Sequence, residues 1–160
     1  QGAIELIVAA RNLRELGFDC GVDIIGISPD LIGMYYEWLN VHGYLDKDNP
    51  GEKKKYYELL SNAHLCVNTT PGWSGFQALL EAMYFGNPIV VRHNEVLEHY
   101  FKALNDVAYI LENSHSSLVR LLEDSFSDKN RYQRMSIEAR RSVESCTWAN
   151  FADKLLGIIK

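Results

Sequence analysis

The sequence predicts an α/β fold: a doubly wound, Rossmann-like parallel sheet with helices on both faces. Three observations carry that expectation. Short apolar runs alternate with helical stretches of about ten residues or more, the pattern of βαβ units. The strand-like runs VDIIGIS (22–28) and PIVVR (88–92) are nearly all apolar, as strands covered on both faces are. Right-handed crossovers between such strands make the sheet parallel.

The elements follow in order. A helix opens the chain over 3–16, with Ile4, Leu6, Ile7, Ala10, Leu13 and Leu16 near helical spacing and Gly17 as its stop. VDIIGIS is a strand closed by Pro29, 31–39 reads as an aromatic-rich helix, and VHGYL at 41–45 as a strand. DKDNPG at 46–51 is a loop leading into a helix over 52–63. HLCVNT at 64–69, PIVVR at 88–92 and VAYIL at 107–111 complete the strands, with 95–104 loop or helix. Helices over 115–126, 128–144 and 147–158 end the chain. A doubly wound domain normally opens on a strand, so a first strand, and a longer protein, are expected upstream.

A chain of 160 residues fits one domain, and 47% hydrophobic with 23% charged residues supports a sizeable core. The net charge of −5 argues against a nucleic-acid partner but leaves a small anionic ligand open. Cys20, Cys66 and Cys146 are odd in number, scattered and without metal-ligand spacing, so free thiols and no metal site are expected. No apolar run reaches the roughly 18 residues of a membrane span. The expected location is cytoplasmic, with attachment at the inner face of the membrane open.

One stretch invites a chemical reading: TTPGWSGFQALLEAMYFGNPIVV, residues 69–91. Ser74 and Gln77 fit a capping box, which starts a helix near Gly75, directly after a strand. Unpaired amides and the positive end of the helix dipole favour a phosphate there. Helical spacing puts Ser74, Ala78 and Glu81 on one side and Phe76, Leu79, Leu80 and Met83 on the buried one. Small Ala78 would let a ligand reach Glu81, whose carboxylate could accept two hydrogen bonds from a ribose diol. On residue pattern alone, a merely solvent-facing Glu is the better reading.

GFQALLEAMYFGNPIVV resembles the donor-binding motif of GT-B glycosyltransferases of the glycosyltransferase 4 family. YYELLSNAHLCVNTT, GYLDKDNP and QGAIELIVAARNL resemble further blocks of that family, in the same order. The resemblance covers nearly the whole chain. It implies a C-terminal domain binding a nucleoside diphosphate sugar, for transfer of a hexosyl group to a glycan or lipid-linked acceptor held by an upstream domain. It implies that Glu81 holds the ribose and that Gly75, Phe76 and Gln77 offer amides to the diphosphate or sugar. Tyr44 and Leu45, in the GYLDKDNP loop, would flank the base. No metal or other cofactor is implied.

The chain departs from the family at two places. The first Glu of the family's pair falls on Trp73, or on Ser74 with a one-residue deletion, and the Lys that precedes the first helix falls on Gln1. A non-catalytic nucleotide-binding subunit is therefore the alternative function. Arg92 ends a strand at the ligand edge and could reach a phosphate or the acceptor. His93 could act as acid or base. Lys53, Lys54 and Lys55 read as a solvated face. The pairs Tyr35–Tyr36 and Tyr56–Tyr57 read as helix packing, and Trp148 as core.

Overall fold

The computed structural model describes residues 2–70, 76–101, 103–111 and 115–159. The chain is mixed α/β with parallel strands. Helix α1 (Gly2–Glu15) leads into strand β1 (Val22–Ile24), the short helix α2 (Pro29–Ile32) and β2 (Leu39–Val41). Then come α3 (Pro50–Asn62), β3 (Cys66–Asn68), α4 (Phe76–Tyr84), β4 (Ile89–Arg92) and α5 (Glu95–Tyr100). Strand β5 (Ala108–Leu111) and helices α6 (His115–Ser127), α7 (Lys129–Val143) and α8 (Trp148–Ile159) follow.

The strands form two parallel ladders, β1–β2 and β3–β4–β5. Helices cover both faces of the three-stranded ladder. Ile89 and Val91 of β4 and Ala108 of β5 pack with Leu79 and Met83 of α4 and Ala139 and Val143 of α7. The alternate residues Val90, Tyr109 and Leu111 pack on the opposite side with Ala9 and Leu13 of α1 and Leu118 and Leu122 of α6. Successive strand side chains point to opposite faces, so a strand apolar at every position needs exactly this two-sided cover. Helix α1 reaches both ladders, because its Ile7 and Ala10 pack against Val22 and Ile24 of β1.

Among the described residues no ladder joins β1 to β3. Four expectations are corrected. The aromatic-rich helix over 31–39 is instead α2, one turn long. Pro29 starts it, and Gly33, at φ 61°, ends it by donating its N–H to the Pro29 carbonyl. The following strand is Leu39–Val41 rather than 41–45. Register with β1 pairs Val22 with Leu39 and Ile24 with Val41, and Gly43 at φ 69° breaks the strand before Tyr44. Tyr35 therefore lies on no helix and is 88% exposed, while the Tyr36 ring stacks on Trp38 at 4.7 Å. Trp148 is not core: it is 82% exposed and shares an uncovered apolar face of α8 with Phe151, Leu155 and Leu156.

Cys20, Cys66 and Cys146 are free, as expected. Burial pushes the Cys66 thiol up to about 11 and raises Cys20 as well, so neither is a ready nucleophile. No helix among the described residues is long and apolar enough to cross a membrane.

Candidate functional site

The site grows from a loop, two helices and the short cluster beneath them. The loop after β2 folds back on itself. The Asp48 amide donates to the Asp46 carboxylate at 2.9 Å, and the Asp46 amide donates to Glu52 at 2.7 Å. Asn49 caps α3 by accepting from the amides of Gly51 and Glu52, at 2.9 and 3.3 Å, and Pro50 takes the first helical position. Leu45, Tyr56, Leu60 and Ala82 close a small core under this loop, with Ile25 and Cys66 against it. That core holds the backbone on either side of Lys47 and fixes the ring of Tyr56.

Glu81 of α4 faces this assembly. Lys47 Nζ donates to both of its oxygens, at 2.8 Å to Oε1 and 2.6 Å to Oε2. The Tyr56 hydroxyl donates to Oε2 at 2.7 Å, and Gln77 Nε2, one helical turn earlier, donates to Oε1 at 3.1 Å. The ammonium also lies 4.2 Å from the centre of the Tyr56 ring. The side chains of Glu81 and Lys47 are 19% and 35% exposed. Burial pushes the Glu81 carboxyl up, but the three donors and the Lys47 charge outweigh it and hold its pKa below the usual value. Burial, then the bond to Glu81, raises Tyr56, which keeps its phenol a donor.

A second charged pair lies where the strands end. Arg92 Nη2 donates to both oxygens of Glu5, at 2.7 and 2.9 Å, and Arg92 Nε donates to the Thr69 carbonyl at 2.8 Å. The Glu5 side chain is only 4% exposed. These contacts tie α1 to the ends of β3 and β4. A side chain at Gly2 would come within 2.7 Å of the Thr69 hydroxyl, so α1 begins close against that strand end.

The expected site residues fare differently. Glu81 and Gln77 come together, and Phe76 opens α4. Ser74 and Gly75, with the capping box and the departure at Trp73, lie outside the described residues. Leu45 is buried in the small core and Tyr44 is exposed, so the two point to different surroundings. Arg92 is engaged by Glu5. His93 pairs with Glu98 at 3.1 Å, and Lys53, Lys54 and Lys55 are exposed, with Lys54 beside Glu58. Glu81 is no bare solvent-facing residue either, since it is largely buried among donors. Three participants are not among the expected site residues. Tyr56 reads in the sequence as helix packing but donates to Glu81. Lys47 lies within the GYLDKDNP loop as one charge among several. Glu5 carries the same signal as Glu81, a lone carboxylate in an apolar helical run (AIELIVAA).

Among the described residues no cluster of His, Cys, Asp and Glu could hold a metal ion. The chain matches no family model and no curated protein sequence.

Proposed function

We propose that this chain is the donor-binding domain of a GT-B glycosyltransferase, taking a nucleoside diphosphate sugar at the C-terminal ends of its strands. One observation carries the reading. Glu81, on the helix after β3, meets Lys47, on the loop after β2, so two strand-end connections converge on one largely buried carboxylate. In open α/β sheets that edge is where ligands bind. Glu81 would accept the ribose hydroxyls, the start of α4 would face the diphosphate, and Tyr44 would lie exposed beside the base. Catalysis would be electrostatic, through stabilisation of charge on the departing diphosphate.

The proposal includes one doubly wound sheet. The two ladders have the neighbours expected of strand order 3-2-1-4-5-6 with its strand 1 left out: β1 and β2 as strands 2 and 3, and β3 to β5 as strands 4 to 6.

The test is a calorimetric titration with a panel of nucleoside diphosphates. Glu81→Ala should weaken binding of the preferred nucleotide tenfold or more, since two hydrogen bonds to a charged acceptor contribute about 1.5–3 kcal/mol each. Equal affinity in parent and variant would sink the ribose role.

A second reading, a nucleotide-binding subunit without catalysis, is favoured by the lack of an acidic residue at Trp73 or Ser74. Hydrolysis or transfer of a bound sugar nucleotide by the full-length protein would decide for the enzyme.

A further inference from the structure

An ionised carboxylate offers about four lone-pair sites. Glu81 already meets four donor contacts: one from Lys47 to each oxygen, one from Tyr56 to Oε2 and one from Gln77 to Oε1. A ligand with two hydroxyls therefore finds the acceptor full. Something must leave before it binds.

The three donors are not equally free to go. Tyr56 is buried in the small core with Leu45, Leu60 and Ala82, so its hydroxyl stays on Oε2. Gln77 is one turn from Glu81 on the same helix and touches Oε1 alone. Lys47 touches both oxygens from a flexible four-carbon stem, and its side chain is one-third exposed. The bonds that shape its loop, through Asp46, Asp48, Asn49 and Glu52, do not involve the ammonium. Its departure opens one site on each oxygen, as two neighbouring hydroxyls require.

We propose that Lys47 is a latch on the Glu81 carboxylate, standing in for the ligand's vicinal diol and displaced by it. This rests on the nucleotide-binding reading and adds a competition to it: the chain's own cation and the ribose contend for the same two oxygens. The latch keeps a largely buried carboxylate paired while the site is empty. It also sharpens selection, because a ligand lacking one hydroxyl cannot replace a donor that reaches both oxygens.

The test compares the preferred nucleoside diphosphate with its 2′,3′-dideoxy counterpart, in the parent, Lys47→Met and Lys47→Arg. Any effect of the lysine charge on the phosphates is common to both ligands and cancels in the ratio of their affinities. Lys47→Met should raise the preference for the ribose form about tenfold, the size of one charged hydrogen bond no longer contested. Lys47→Arg, whose fork grips a carboxylate more firmly, should lower it. An unchanged preference in both variants overturns the latch, as does a fall in Lys47→Met, which would mark the lysine as a ligand contact. If all three proteins bind both ligands equally well, Glu81 is not the diol acceptor and the latch fails while nucleotide binding stands. If none binds either ligand, the parent reading fails and the latch with it.

Discussion

The junction of α1 with β4 and the junction of α4 with the loop after β2 are built from the same parts and tuned differently. Each places a lone Glu from an apolar helical run against a cation that touches both its oxygens: Glu5 with Arg92, and Glu81 with Lys47. At the first, the cation is a planar guanidinium on a strand, further tied to the Thr69 carbonyl, and Glu5 is almost wholly buried. At the second, the cation is a flexible ammonium on a loop, and both partners keep some contact with water. The difference teaches that a buried carboxylate need not be functional. Its partner's stiffness and access to water separate a structural clamp from a contact a ligand could exchange.

The largest expected effect tests the clamp. Arg92→Ala would remove the guanidinium that donates to both oxygens of the buried Glu5 carboxylate, and about 3 kcal/mol of stability should be lost. Urea unfolding of the variant would measure it, and a loss below about 1 kcal/mol would erase the distinction between the junctions.

Glu81→Ala should cost less without ligand, about 1–2 kcal/mol, because Lys47 can turn to water and the Tyr56 hydroxyl alone is stranded. This is more than a solvent-facing Glu would give, since such positions usually change stability by under about 0.5 kcal/mol. The melting temperature should fall by several degrees in a chain of this size.

Exchange of the cations should then split the two sites. Arg92→Lys loses the fork that also bonds Thr69 and should cost about 1 kcal/mol or more, whereas Lys47→Arg should keep or slightly raise unliganded stability. Similar losses in both, by chemical denaturation, would show that the partners are interchangeable.

The smallest effect is a pH dependence at the second junction. The pKa of Glu81 is lowered in the fold, so its contribution is present above the ordinary carboxylate range. It is lost as pH falls through that range, near 4, toward the folded value. The gap in melting temperature between the parent and Glu81→Gln should therefore be widest near neutrality and shrink steadily as pH falls below the ordinary carboxylate range. A gap that persists in acid would mean that the carboxylate charge does not carry the contact.

The uncovered face of α8 illustrates one boundary of sequence reading. The helical spacing of Trp148, Phe151, Leu155 and Leu156 is legible in the sequence, but which way the helix leaves the domain is not. Trp148 follows Thr147, whose hydroxyl accepts from the Asn150 amide at 3.2 Å, and an aromatic there reads as core only if α8 folds back on the domain. Likewise, 31–39 has helix-like composition, but Gly33 in the left-handed region and pairing of Leu39 with Val22 prevail over it. A local preference worth a few tenths of a kcal/mol per residue yields to a strand register that buries apolar side chains.

By itself the sequence determined the α/β alternation, the parallel direction of the strands and the two-sided burial of β4 and β5, because all three follow from periodicity and connection length. It also singled out Glu81 as chemically unusual. Only the tertiary structure decided what that carboxylate meets. Tyr56 and Lys47 lie 25 and 34 positions from Glu81 along the chain, and Arg92 lies 87 from Glu5. No local pattern encodes such pairings; they exist because packing of the helices and the strand-end loops brings distant charges within hydrogen-bond reach. The two Glu residues look alike in sequence and part company in the fold, where one faces a fixed arginine and the other a movable lysine.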